Sequence, residues 1–392
     1  MGLKINGKTT HYKAVKHYVR PTIRYKWITH RREVIERENL AAQHDPNGTQ
    51  ILQDGQYDSP GFNAWLHTHS TQIARTNEVC DIIIMKKDPD NPGDMEVKCS
   101  KISVERLDTE FDHLKIVCTD RHRGIVKLLR ENFSHIEHDY DLWHIVKSFR
   151  VKFAALAKQK RYEVLAPWQQ PIIRHLWYSA SVCNGHADIL IETFTSCLKH
   201  ITGVHEWSDG VYVHRCAHDV TDDTESPQLA ILDEDMPAYQ ALAKIVKNPA
   251  LLSDLRHAHR NLQTSLVETY HSLRLEYLPK RVAFSWDGSV DRSILAALDN
   301  NFNLGREEVG QKLYYSKATK RWVYRTTYSP KSETWRKQLL RETLDINNIP
   351  KKNSYEREFN ELFGTFYIPQ SSVPVPRPTG DDLPVRQSRL QV

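Results

Sequence analysis

Short apolar runs rich in β-branched residues fall in the first third of the chain, and helical periodicity dominates after them. A helical pattern covers Tyr25–Glu38 and stops before the turn-forming Asp45-Pro46-Asn47-Gly48. A strand is predicted at Thr49–Gln53, running into Asp54-Gly55, and a second at Asp81–Lys87 (DIIIMKK), closed by the turn cluster 88–93. Met95–Leu114 has helical periodicity, and Leu114–Cys118 (LKIVC) is a compact strand that delivers Thr119-Asp120 at its C-terminal end. Asn63–Gln72 (NAWLHTHSTQ), by contrast, lacks the clean alternation expected of a core strand. A helix fits Gly124–Asn132, a short segment crosses Ile136–Leu142, and a long amphipathic helix covers Trp143–Lys160.

From 165 to 260 the pattern is almost wholly helical, broken by Gly185, Gly203, Gly210 and an acidic loop at Asp219–Glu225. One helix is then predicted over roughly Ser253–Tyr277; it carries Glu268, and Pro279 ends it. Past about residue 345 the chain turns polar, and from Gln370 it has the Pro-rich composition of a disordered tail. The fold class implied is α/β (α+β): a mixed β-sheet core at 49–164 and 253–330, interrupted by a helical insertion at 165–252. A basic helical segment, 1–48, precedes this core, and an extension, 331–392, follows it, with the tail from about 370.

Composition narrows the class without naming it. Hydrophobic residues make up 40% of the chain and aromatics are plentiful, so most of it should fold. No apolar run can span a bilayer and no apolar stretch follows the N-terminal charges, which argues against a membrane partner and a secretory signal. Six scattered cysteines suit a reducing, intracellular compartment. A net charge of +5 permits nucleic-acid binding without demanding it.

The candidate chemistry lies in carboxylates. Asp54 and Asp120 each end a predicted strand, and Glu268 sits in a helix beside Leu266 and Val267. A single Asp at a strand end is usually a turn former or helix cap. Three carboxylates brought together from two strands and a helix, however, suit two divalent ions that stabilise an in-line phosphoryl displacement. Hard oxygen ligands select Mg²⁺ or Mn²⁺.

The wording of these segments adds a resemblance. Residues 118–125 (CTDRHRGI), followed by 138–148 (HDYDLWHIVKS), resemble the second-aspartate block of eukaryotic DDE transposases of the mutator-like, hAT-like and Kolobok-like supergroup. In those families a helix and then a Cys/Asp-x-x-His signature follow the aspartate, and Asp141-Leu142-Trp143-His144 matches that signature. Residues 267–273 (VETYHSL), with 277–281 (YLPKR) behind them, are similar to the glutamate block, and a long helical insertion before it is typical. Asp54-Gly55 matches the Asp-Gly opening of the first-aspartate block. The resemblance covers about residues 50–325 and is strongest at 116–148 and 262–306.

It implies an RNase H-like core in which Asp54, Asp120 and Glu268 are the catalytic ligands of two Mg²⁺ or Mn²⁺ ions. Asp58 is the alternative first carboxylate, and Asp141 and His144 form a supporting signature beside the site. The activity implied is DNA cleavage and strand transfer, in which water and then a DNA 3′-hydroxyl attack a phosphodiester. The partner implied is transposon-end DNA and the location the nucleus; a homo-oligomer is compatible with both. Lys147, Arg150 and Lys152 after the signature, with Lys280 and Arg281 after the glutamate, are candidate DNA contacts or simply a solvated helix face. Trp143 fits either a stacked base or the core.

Within the insertion, Cys183, His205, Cys216 and His218 are a candidate structural Zn²⁺ set, although their spacing matches no standard finger. Three function classes follow: an active transposase, a catalytically silent domesticated DNA-binding derivative, and a helical interaction module holding zinc. Only about fifty residues, none of them cysteine, precede Asp54. Transposases carry a site-specific DNA-binding domain there, so the expectation is a truncated, decayed or host-adopted copy.

Overall fold

A computed structural model of the chain describes residues 7–59, 64–87, 94–218, 229–280, 282, 284–316, 321–345 and 347–364. Five strands form one sheet in the order β3-β2-β1-β4-β5: β1 Thr49–Tyr57, β2 Leu66–Ile73, β3 Val79–Lys86, β4 Leu114–Thr119 and β5 Glu137–Tyr140. The first three make an antiparallel meander, and β4 and β5 run parallel to β1. Parallel neighbours need crossover connections. Helices α1 (Lys8–Ala14) and α2 (Arg20–Ala42) precede the sheet, α3 (Met95–Glu110) returns the chain from β3 to β4, and α4 (Arg123–Asn132) links β4 to β5.

Alternation along the strands sorts the two faces. Ile51 and Val117 face α3 and α4, packing with Val104, Leu107, Ile125 and Leu129. Their neighbours Leu52 and Cys118 point the other way, onto Val267 of α11 (Ser265–Tyr277). Ile82 and Ile84 share that second face with Tyr270 and with Val290 and Ile294 of α12 (Trp286–Asn301). The sheet is therefore covered on both sides, which is why DIIIMKK is a continuous apolar run.

The stretch that lacked alternation, NAWLHTHSTQ, supplies β2. The strand is central and almost wholly buried, so polar side chains stand where apolar ones were expected. The hydroxyls among them are hydrogen-bonded, Thr71 to Ser103 at 3.0 Å, Thr68 to Arg274 at 2.6 Å and Ser70 to His271 at 3.1 Å, whereas the rings of His67 and His69 are buried without a hydrogen-bond partner among the described residues. Buried polar groups persist where they find such partners.

The helical region 140–258 has its own core, built from α5 (Leu142–Ala157), α6 (Gln169–Val182), α7 (Ala187–Thr195), α8 (Cys197–Ile201), α9 (Pro237–Val246) and α10 (Pro249–Arg256) around Phe149, Phe153, Leu176, Phe194 and Leu242. The single helix predicted over Ser253–Tyr277 is in fact two. α10 stops at Arg256 and α11 starts at Ser265, with Asn261 between them in the left-handed region (φ 54°), which helix interiors do not use. The break lets His257 accept the Tyr140 backbone N–H at 2.7 Å and tie the helical block to β5.

Beyond α12 the chain first leaves the core. A hairpin of β6 (Glu308–Ser316) and β7 (Arg321–Tyr328) stands almost entirely exposed, with Trp322 and Tyr324 outward. Helices α13 (Thr334–Leu344) and α14 (Glu356–Phe359) then return to the core, where Trp335, Phe359 and Phe363 pack with Trp27 of α2. The Pro-rich tail and the acidic loop 219–225 lie outside the described residues. No helix among the described residues is long and apolar enough to cross a membrane.

Burial gives the fold a pH dependence. It pushes His67 and His69 of β2 down to about 3, and His30 and His138 down to about 4. Each stays neutral in the fold but takes a proton near the ordinary 6.5 once unfolded. Their stabilisation is complete above that value and is lost as pH falls towards the folded values. The melting temperature is expected to fall steadily from about pH 7 to about pH 4.5. A flat profile over that range would contradict the burial of these rings.

Candidate active site

The site starts from strand register. β1 and β4 are parallel neighbours whose paired register ends at Leu52 and Cys118. Asp54 stands two residues further along β1, and Asp120 two residues further on, just past the end of β4. Residues two apart share a face and neighbouring strands lie about 4.8 Å apart, so the two carboxylates are presented side by side. Asp54 lies inside β1, which continues to Tyr57, rather than at its end. Gly55 has a steric reason: a Cβ there would overlap the His67 ring.

Asp120 leads into a half-buried network. His144 Nδ1 lies 2.8 Å from Asp120 Oδ1 and 3.1 Å from Asp141 Oδ2. Asp141 caps α5 by accepting the Trp143 N–H at 2.7 Å, and it also accepts the Thr264 hydroxyl at 2.6 Å. Burial alone would raise the Asp141 pKa, yet donors from His144, Thr264 and Trp143 outweigh it and hold the carboxyl below its usual value. Burial would likewise depress His144, but Asp120 and Asp141 raise it to about 10, leaving an imidazolium at neutral pH.

Thr264, Glu268 and His271 fall at i, i+4 and i+7 and so form one stripe of α11. Its ends are fixed. Thr264 meets Asp141, while His271 Nδ1 lies 3.3 Å from Asp54 Oδ2. Between them Val267 packs on Leu52 and Cys118, the residues two before each aspartate. Glu268 is exposed on that stripe, between a contact to the Asp120 network and a contact to Asp54. Arg274 holds the far end of the helix down through Gln56 (2.7 Å), Thr68 (2.6 Å) and Ser293 (3.0 Å).

More acid joins from α3. Asp94 caps that helix by accepting the Glu96 N–H at 3.0 Å and lies 3.1 Å from His122 Nε2. Burial pushes the Glu96 carboxyl up; His122 opposes this, and the like charges of Asp94, Asp54 and Asp120 add to it. Asp94, Glu96 and His122 offer ligand atoms within 4.8 Å of one another, as do Asp120, Asp141 and His144. Glu268 belongs to neither tight group among the described residues.

No protein-family model matches the chain, and no curated protein matches it.

The remaining candidates divide. Asp58 lies about 13 Å further along the chain than Asp54 at ~3.3 Å per residue. It accepts the Trp65 N–H at 3.0 Å, closing the loop between β1 and β2, and with Arg274 and Lys280 it lines a separate cavity of about 560 Å³. Trp143 is not a core residue: it is 38% exposed, with Lys147 Nζ 4.4 Å above its ring. Trp143, Lys147 and Arg150 form an exposed stripe on α5 leading away from His144, and Lys152 is exposed nearby. Lys280 is exposed past α11, and Arg281 lies outside the described residues.

Of the four zinc candidates, the structure brings three together and leaves one apart. Cys183 is fully buried in the helical core, its thiol donating to the carbonyls of Ala180 (3.3 Å) and His259 (3.1 Å). His200 takes its place beside His205, Cys216 and His218. Sequence reasoning also passed over Glu96, His122 and His271. The Glu268-x-x-His271 spacing, which sets both on one helix face, was the readable signal for the last.

Proposed function

We propose that the chain is a metal-dependent DNA cleavage and strand-transfer enzyme of the DDE transposase kind, with Asp54, Asp120 and Glu268 as its ligand set. The observation that carries this reading is the α11 stripe: Glu268 stands between Thr264, tied to the Asp120 network, and His271, in contact with Asp54. The mixed sheet, an antiparallel meander extended by two parallel strands and covered by helices, suits an RNase H-like core. The acidic donor set fits divalent cations, because burial and then the like charges of Asp94, Asp54 and Asp120 raise Glu96 against the opposing His122. Hard oxygen ligands favour Mg²⁺ or Mn²⁺. Bound there, such ions would supply charge stabilisation for the attacking and leaving oxygens of a phosphodiester.

The chain's own groups do the positioning. Asp141 orients His144, whose imidazolium holds the Asp120 carboxylate in place. The exposed Trp143-Lys147-Arg150 stripe offers a stacking ring and two cations to a DNA strand entering beside Asp120. The Lys147→Ala/Arg150→Ala double variant is expected to weaken DNA binding. It should also flatten the plot of log affinity against log salt by about 0.9 for each lost phosphate contact. Fluorescence anisotropy at several salt concentrations reads this, and an unchanged slope would remove the stripe from the interface.

The overall reading is tested by incubating the purified chain with supercoiled DNA and Mg²⁺ or Mn²⁺. Nicked or linear product that requires metal supports the enzyme. DNA binding with no metal-dependent product favours the catalytically silent, DNA-binding derivative, and neither binding nor cleavage rules out both.

A further inference from the structure

A second cluster lies in the helical block, independent of the carboxylates on the sheet. We propose that His200, His205, Cys216 and His218 form a closed, tetrahedral Zn²⁺ site that fastens the hairpin 205–216 to α8. His200 Nδ1 lies 3.3 Å from His218 Nε2 and 3.5 Å from Cys216 Sγ. A tetrahedron with Zn–N of about 2.05 Å and Zn–S of about 2.3 Å has N···N edges of roughly 3.3 Å and N···S edges of roughly 3.6 Å. The observed edges of 3.3 and 3.5 Å match both. All four ligand atoms lie within 4.8 Å of one another. The three imidazoles stand nearly perpendicular, at interplanar angles of 87°, 86° and 88°, so each directs a nitrogen inward from a different side.

The backbone explains how sparse residues reach this geometry. Gly203, at φ +78°, turns the chain out of α8, and the Cys216 N–H donates to the His205 carbonyl at 2.8 Å. Trp207 and His214 continue the hairpin with a second bond of 2.8 Å, and Glu206 bridges Arg215. His205 and Cys216 are thus opposite each other at its base, while Glu192 accepts the N–H groups of Val211, Tyr212 and Val213 at its tip. No residue from 202 to 218 is buried. The segment therefore has no hydrophobic core of its own, the situation in which small units depend on a metal. Three imidazoles and a thiolate select Zn²⁺ over Mg²⁺ or Mn²⁺, and four protein ligands make the site structural.

The test uses the full chain without a histidine tag. Elemental analysis should find about one zinc per chain that survives dialysis. Replacement by Co²⁺ should give the intense visible bands of four-coordination and a thiolate-to-cobalt charge-transfer band. Cys216→Ser should lose that band, whereas Cys183→Ser should keep it. If Cys216→Ser fails to fold, the parent spectrum still decides. Weak six-coordinate cobalt bands, no charge-transfer band, no retained zinc, or a band that disappears with Cys183→Ser would each overturn the proposal.

Discussion

Asp120→Asn is expected to lower metal-dependent DNA cleavage by on the order of 10³-fold, about 4 kcal/mol of transition-state stabilisation, while leaving the fold intact. The amide keeps the shape of the side chain but removes the charge that a divalent cation and the His144 imidazolium both use. Asp120 is 37% exposed on its side chain, so the loss of its ion pair should change stability by no more than about 1 kcal/mol. Activity and melting temperature should therefore separate. A variant that melts much earlier, or that still cleaves at the parent rate, would contradict a metal role for this carboxylate. Glu268→Gln should behave alike, because Glu268 is exposed and holds no core contact.

Asp141→Asn is expected to act differently, with a 10–100-fold loss of cleavage typical of a residue that orients a ligand rather than binding metal. It should also cost about 1–3 kcal/mol of stability, since Thr264 and His144 lose a buried charged acceptor. The pH dependence marks the network. His144 is raised to about 10, so its contribution is complete below the ordinary imidazole value and is lost as pH rises through about 10. Asp141 is depressed, so its contribution holds above the ordinary carboxylate value and is lost as pH falls through the lowered one. The gap in melting temperature between parent and Asp141→Asn should thus be widest near neutrality and narrow in strongly alkaline buffer. A gap that does not change with pH would mean that Asp141 serves only as the cap of α5.

Much of this was legible where local chemistry decided the outcome. LKIVC and DIIIMKK are β-branched and became β4 and β3, and Asp141 was marked by the helix that follows it. The strand that escaped, β2, carries hydroxyls whose partners are remote in sequence: Ser103, His271 and Arg274 supply the hydrogen bonds that let Thr71, Ser70 and Thr68 be buried. No local pattern reports a partner some two hundred residues away. The break between α10 and α11 escaped for a related reason, since helical periodicity continues across 257–264 while the backbone turns at Asn261.

The same limit governed the site. Asp54, Asp120 and Glu268 were candidates from their wording, whereas Thr264 and His271, which set α11 against Asp141 and Asp54, do so through contacts remote in sequence. Glu96 entered only because α3 begins next to the ends of β1 and β4. In the helical block, Cys183 was chosen as a zinc ligand for its type and spacing. It is drawn instead into the core by its helix, and His200, one turn before the hairpin, stands with the other three.

The most direct measurement is a crystal structure of the chain grown with Mn²⁺, with the metal located by its anomalous scattering. Two peaks are expected about 4 Å apart, within ligand distance of Asp54, Asp120 and Glu268. Manganese held instead by Asp94, Glu96 and His122, with Glu268 free of it, would contradict the assignment.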